Sequence, residues 1–334
     1  MKPNPIVPPP ADRSRHSFRK ACGVAGVLLA FFVSGCSRAD RTELRIAMSP
    51  WPGYDFLFLA QEKGFLAEEG VNVRFVEYPL LSDCRVAFES GQVDAMACTL
   101  IEVLQARENS QRSPQVALVT DYSNGADVIL GRADLTSLAA LNGRRVGLEL
   151  GSLGVFMLAR ALESAGMKLS DVEMVSCVPG EMQAAIVSGA VDAVVTYPPT
   201  SVHVEAGGQV RRLFSSAEIP GEVVDVVAVD APRLQRDPEL PARLSRAMQR
   251  ALDYARIHQQ EAYAFMAQRE GISGAEFEQA LEGVQLVEVA GQKAFLGSEG
   301  SLQRSLRDVG RTLRETGQLL PAVAAAAGKN TERP

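Results

Sequence analysis

The feature that most constrains this chain is a repetition at a spacing of about one hundred residues. Arg45-Ile46-Ala47-Met48 is matched by Arg145-Val146-Gly147-Leu148, and Leu59-Ala60 by Leu158-Ala159. Ser90-Gly91-Gln92-Val93-Asp94-Ala95 is matched by Ser188-Gly189-Ala190-Val191-Asp192-Ala193, and Thr99 falls close to the counterpart of Thr196. The first three matches keep one order at offsets of 100, 99 and 98. Helix–Gly–Val–strand is common punctuation, but three ordered matches describe one supersecondary unit written twice.

Within the first copy, Leu44–Met48 reads as a strand and Asp55–Lys63 as a helix stopped by Gly64, where a positive φ suits glycine. Val71, Val73 and Phe75 alternate with polar residues as in a half-buried strand; Ser82–Ser90 reads as a helix closed by Gly91, then Val93–Cys98 and Val116–Val119 as strands. Strand and helix alternating at this spacing predict parallel pairing with right-handed crossovers. The expected fold is therefore α/β, with two doubly wound α/β lobes. Asp94 and Asp192, each just after a glycine turn, are expected to brace their helix–strand turns.

The chain crosses between the lobes twice, near Thr120–Asp127 and near Ile219–Glu222, and the two crossings form a hinge. From Pro238 onward the pattern turns helical (238–268, 273–282 and about 298–316), which predicts C-terminal helices packing back on lobe one. Lobe one is expected over 44–124 and 224–320, lobe two over 125–223, and a frayed tail over 321–334.

The net charge of −6 hides an asymmetry: residues 1–35 carry +4, leaving −10 for the remainder. No basic footprint for nucleic acid exists. The basic stretch leads into an apolar run, Ala21–Val33, too short for a comfortable bilayer span but of signal-peptide length. It ends in Val33-Ser34-Gly35-Cys36, which resembles a bacterial lipobox. Residues 1–35 are then a lipoprotein signal, Cys36 the lipidated residue and 36–43 a linker, which implies a membrane-anchored protein on the periplasmic side of the cell envelope. Cys84, Cys98 and Cys177 show no metal-ligand spacing and read as buried small hydrophobes. The three histidines share no neighbourhood, and neither a Gly-x-Ser-x-Gly elbow nor a Walker loop occurs. No metal, cofactor or catalytic set is expected.

Ligands of open α/β sheets sit beyond the carboxyl ends of strands. That position nominates the loop Ser49–Asp55, with Trp51, Gly53 and Tyr54, and its counterpart Glu149–Gly154, with Glu149, Ser152, Leu153 and Gly154. Each opens a helix whose free N–H groups favour negative charge. Trp51, the single tryptophan, reads either as a pocket wall or as packing under its loop. The hydroxyls of Thr99 and Thr196, with Tyr197, are expected to face the cleft, and Asn124 and Asp127 to sit on the crossing. Acids gather at these ends: Asp121, Asp127, Glu149, Glu222 and Asp225. Solvated loop charge explains some of them. If two or three face inward, the ligand carries an amine or another hydrogen-bond donor.

The run Leu138-Ala139-Ala140-Leu141-Asn142-Gly143-Arg144-Arg145-Val146-Gly147, and Ser188–Ala193 followed by Tyr197-Pro198, resemble motifs of the type II solute-binding proteins of bacterial ABC transporters. The resemblance is to their nitrate/sulfonate/taurine group, which includes binders of thiamine pyrimidine precursors, and it runs from about Leu44 to Leu320. It implies a monomer that captures a small-molecule solute between its lobes and hands it to a permease with its ATPase. It implies ligand contacts at Trp51–Tyr54, Thr99, Asn124–Asp127, Ser152–Gly154 and Tyr197. Gly151-Ser152-Leu153-Gly154-Val155 lacks the hydroxyl run with histidine of sulfonate binders, and the cysteine-rich motif of the pyrimidine-forming enzymes is absent, which argues against catalysis. A sensory lipoprotein reporting occupancy to a membrane receptor is the alternative.

Overall fold

A computed structural model describes residues 43–297 and 300–319. The leader, Cys36 and the tail beyond 319 lie outside the described residues. Eleven strands are described: β1 (Leu44–Met48), β2 (Val73–Glu77), β3 (Ala95–Thr99), β4 (Pro114–Ser123), β5 (Val128–Arg132), β6 (Arg145–Leu148), β7 (Glu173–Ser176), β8 (Ala193–Thr196), β9 (Val210–Ser215), β10 (Val224–Asp230) and β11 (Val284–Leu286). They form two sheets, ordered β11-β4-β10-β3-β1-β2 and β7-β6-β8-β5-β9.

The two sheets repeat one plan. β1 lies parallel between β2 and β3, and β6 parallel between β7 and β8. The fourth strand departs from the all-parallel expectation. β10 runs antiparallel to both β3 and β4, and β5 antiparallel to both β8 and β9. These two strands arrive directly from the crossings, β4 to β5 and β9 to β10. A chain entering from the opposite lobe comes in reversed, which local strand–helix spacing cannot register. The crossings are tied together at Ser216, whose Oγ meets Ser123 Oγ at 2.7 Å and accepts from Gly125 N–H at 2.7 Å.

The repeated Arg and Asp make the same brace in both sheets. Asp94 accepts from the Arg45 backbone and guanidinium at 3.0 Å, and Asp192 from the Arg145 backbone at 3.0 Å and its Nε at 3.3 Å. The Asp94 and Asp192 N–H groups donate back to the Arg45 and Arg145 carbonyls, so β1 is locked to the start of β3 and β6 to the start of β8. Burial pushes both carboxyls up, but the arginine hydrogen bonds outweigh it and leave each below its ordinary value.

Both faces of the six-stranded sheet are buried, as expected of a sheet covered by helices on two sides. Ile46, Ala95, Ala97 and Val227 face one core, and Ala47, Met96, Cys98 and Val226 the other. The second core continues into the other sheet through Val146, Phe156 and Val195, so the lobes share packing. The helix Ser301–Glu315 contributes to this continuity, because it packs on both Leu100–Asn109 and Leu153–Ser164. The long helix expected over 238–268 is broken at His258 into Leu240–Ile257 and Gln259–Glu270, and the C-terminal region adds β11 to the sheet edge. Cys84, Cys98 and Cys177 are buried free thiols.

Candidate functional site

Between the lobes lies a small cavity lined by Ser49, Pro50, Trp51, Tyr54, Leu81, Thr99, Asp127, Leu153, Tyr197 and Asp225. Its volume of about 10 Å³ holds roughly one water, so anything larger enters only when the lobes part. A neighbouring cavity of similar size is lined by Asp127, Glu149, Ser152, Leu153, Gly154 and Tyr197, with Thr196 and apolar side chains.

The β1 loop supplies the aromatic wall. Trp51 is buried, and its indole N–H donates to Asp121 Oδ1 at 3.0 Å. Tyr54 is buried, and its hydroxyl donates to Asp225 Oδ1 at 2.6 Å. Tyr197 meets the edge of Trp51 from the other lobe, with ring centroids 6.1 Å apart. Gly53 does not line the cavity but permits it. A Cβ there would lie 2.0 Å from Asp121 Oδ2 and 2.8 Å from Trp51 Nε1, so any side chain would push the tryptophan and its acceptor apart.

Asp121 and Asp225 are cross-strand partners on β4 and β10. Burial pushes Asp121 up to about 7. Burial, then the nearby charges of Asp121 and Asp127, push Asp225 well above the usual carboxylate range. Asp127 begins β5 from the crossing, and burial raises it to about 7 against the hydrogen bond with Ser123. One carboxylate oxygen on each of the three is buried without a hydrogen-bond partner. Neither cavity has a lysine, arginine or histidine in its lining. The three carboxyls do not converge on one point, and among the described residues no group of His, Cys, Asp or Glu is placed to hold a metal ion.

Two further acids join the lobes. Glu102, fully buried in the helix Leu100–Asn109, accepts from Thr99 N–H and Oγ1 at 3.0 and 2.5 Å within a capping box. Its other oxygen accepts from Ser152 Oγ at 2.8 Å and Leu153 N–H at 3.2 Å, at the start of the helix Leu153–Ser164. Reciprocally, Glu149 reaches from lobe two to the start of the helix Leu81–Glu89 and accepts from Ser82 N–H at 2.7 Å. Burial raises both carboxyls, and these hydrogen bonds oppose the rise.

The sequence candidates therefore divide. Trp51, Tyr54, Thr99, Asp127, Leu153 and Tyr197 line the main cavity; Glu149, Ser152 and Gly154 line its neighbour. The Thr99 hydroxyl does not serve the cleft as expected, because helix capping engages it. Asn124 lies on the hinge, donating its N–H to Gly283 at 2.7 Å, and lines a separate surface groove. Glu222 is no cleft acid. Arg160 holds it with two hydrogen bonds of 2.7 and 2.9 Å, tying the second crossing to the helix Leu153–Ser164. The sequence does not single out Glu102 or Leu81. The Thr99-x-x-Glu102 spacing signals a capping box, but says nothing of donors fifty residues away.

A family described as NMT1/THI5 like matches residues 51–262, more than half of the chain and including the loops described above. The chain belongs to the NMT1/THI5-like family. A similar curated protein is the 4-amino-5-hydroxymethyl-2-methylpyrimidine phosphate synthase THI13 of Saccharomyces cerevisiae. It is 27% identical over 157 residues, covering 46% of this chain and 45% of that protein. The chain spans about half the length of the curated relatives it matches. Among solved structures, the periplasmic aliphatic sulphonate binding protein SsuA from Escherichia coli superposes with a TM-score of 0.71 at 19% identity, covering 85% of this chain and 96% of that one. The periplasmic nitrate-binding protein NrtA from Synechocystis PCC 6803 gives 0.69 at 12% identity, covering 86% and 85%. This NMT1/THI5-like chain thus has the two-lobed fold of periplasmic binding proteins.

Proposed function

We propose that this NMT1/THI5-like protein is the solute-binding component of an ABC importer. It captures a small polar organic solute between its lobes and hands it to a permease and its ATPase, with Cys36 as its lipid anchor on the periplasmic side. The observation that carries the reading is the shared construction of the cavity. Trp51, Tyr54, Thr99 and Asp225 come from the strands and loops of one lobe, Leu153 and Tyr197 from the other, and Asp127 from the crossing between them. A wall divided in this way is complete only when the lobes meet, so a solute with more affinity for the closed form shifts the population toward it. The sulphonate- and nitrate-binding structures are named as binding proteins, whereas the yeast relative is named as a synthase and a further structure of this fold, with a TM-score of 0.61, as the desulfurization enzyme DSZB.

The test is thermal melting of the full chain in detergent against sulfonates, nitrate, amino acids, polyamines and pyrimidines. A solute at one hundred times its Kd adds about 2.7 kcal/mol of stability. Mass spectrometry of the recovered solute and its uptake by cells lacking the protein complete the test. Recovery unchanged with lost uptake is the expected result. Chemical conversion of the solute, or undiminished uptake, would overturn the reading.

A further inference from the structure

Anion recognition by a protein of this shape would draw on helix N-termini at the cleft, whose free N–H groups favour negative charge. At two of the helix N-termini beside the cleft, those of Leu81–Glu89 and Leu153–Ser164, the chain's own carboxylates already take an N–H. Ser82 N–H, at the start of Leu81–Glu89, is bonded to Glu149 of the opposite lobe. Leu153 N–H and Ser152 Oγ, at the start of Leu153–Ser164, are bonded to Glu102 of the opposite lobe. An arriving sulfonate or nitrate would have to displace a buried carboxylate from each and then sit among acids.

The cavity wall is complementary to the opposite charge. Asp127 and Asp225, 2% and 3% exposed, line it, and each carries a buried carboxylate oxygen with no partner. A buried polar oxygen left unpaired is costly, so a ligand that donates to it gains what the unliganded protein lacks. Trp51, Tyr54 and Tyr197 complete the wall, and aromatic faces attract cations. The same lining holds no lysine, arginine or histidine to neutralise the acids, and among the described residues no group of acids is placed to hold a metal ion.

We infer that the solute is an organic cation, a small molecule whose protonated nitrogen donates to Asp127 and Asp225 while its body lies among Trp51, Tyr54 and Tyr197, and that Glu102 and Glu149 exclude anions by occupying the helix N-termini. The inference rests on the solute-capture reading and names the chemical class that reading leaves open.

Isothermal titration of the full chain in detergent, at pH 8 and low salt, tests it with benzylamine, 4-aminopyridine and choline against benzyl alcohol, ethanesulfonate and nitrate. At least one cation is expected to bind, with benzylamine at least tenfold tighter than its neutral counterpart benzyl alcohol. Asp127→Asn and Asp225→Asn are each expected to weaken the bound cation at least tenfold; if Asp225→Asn fails to fold, Asp127→Asn decides alone. Ethanesulfonate or nitrate binding more tightly than every cation would overturn the charge assignment while leaving solute capture standing. Wild-type affinity for the cation in Asp127→Asn would do the same. A panel in which nothing binds would overturn both.

Discussion

The two lobes share a scaffold and differ in what they mount on it. β1 and β6 sit at matching places in their sheets and carry matching arginine–aspartate braces. The loops that follow them have opposite roles. After β1 come Trp51 and Tyr54, which donate to buried acids on β4 and β10 and wall the cavity. After β6 come Glu149 and Ser152, whose polar groups reach across to the first lobe. The threonines after the third strand diverge as well. Thr99 is consumed by helix capping with Glu102, whereas Thr196 is buried with its hydroxyl unpaired. Similar strands therefore predict similar support but not similar chemistry: lobe one supplies most of the cavity lining, and lobe two adds Leu153 and Tyr197.

The largest test of that division is Trp51→Ala against Tyr197→Ala. Trp51 is fully enclosed and hydrogen-bonded, so its removal is expected to cost about 3–5 kcal/mol of stability, together with binding. Tyr197 is only partly buried, and its removal should cost less stability while still weakening the solute. Equal losses in chemical denaturation would break the asymmetry. Next come the close-approach glycines of the two cavity loops, Gly53 and Gly154. Gly53→Ala forces a Cβ onto the Asp121 carboxyl, an overpacking expected to cost about 1–3 kcal/mol and to displace the indole. Gly154→Ala places its Cβ 3.0 Å from the Glu149 carbonyl, a milder conflict with a smaller expected shift in melting.

The carboxylates that cross the cleft sharpen the comparison further. Glu102 accepts from four groups on two lobes, so Glu102→Gln is expected to cost about 1–3 kcal/mol and to open the lobes, seen as a larger radius of gyration in small-angle scattering. Glu149→Gln is expected to lose less, because the donors Glu149 meets across the cleft all belong to one helix start, Leu81–Ser82. The smallest effects belong to the scaffold itself. Arg45→Ala and Arg145→Ala remove half-exposed guanidinium groups from equivalent braces, so each should cost about 1 kcal/mol or less, and nearly the same amount. A clear difference between them would show that the repeat is only superficial.

Much of this architecture is legible before any coordinates. The ordered matches from Arg45 and Arg145 to Asp94 and Asp192 announce two like units, and the glycines after the helices mark their ends. What the sequence does not announce is direction across the hinge. β5 and β10 are antiparallel because they come from the other lobe, a nonlocal fact. The site divides by the same rule. Trp51 and Tyr54 are found by their place at a strand's carboxyl end. Glu222, at a comparable place, points instead to Arg160, because position along a chain does not give side-chain direction. Glu102 looks like an ordinary helix-capping acid, and its second role depends on Ser152 and Leu153 arriving from the other lobe.

The central claim, that the cleft holds buried carboxyls with no basic partner, is tested most directly by thermal melting across pH. Asp121 and Asp127 hold their protons up to about pH 7 in the fold, whereas an unfolded aspartate releases its proton near about pH 3.9. Between those values the folded state binds more protons, so stability falls as pH rises and levels off above about 7. The groups facing Asp127 are the carboxyls of Asp121, Asp225 and Glu102, the Tyr197 hydroxyl and the Ser123 hydroxyl; of these only Ser123 favours its charged form, and burial outweighs it. Wild-type melting temperature is expected to drop between about pH 5 and pH 8, and Asp127→Asn to drop less. Parallel profiles for the two proteins, or wild-type stability that rises across that window, would contradict an uncompensated acidic cleft.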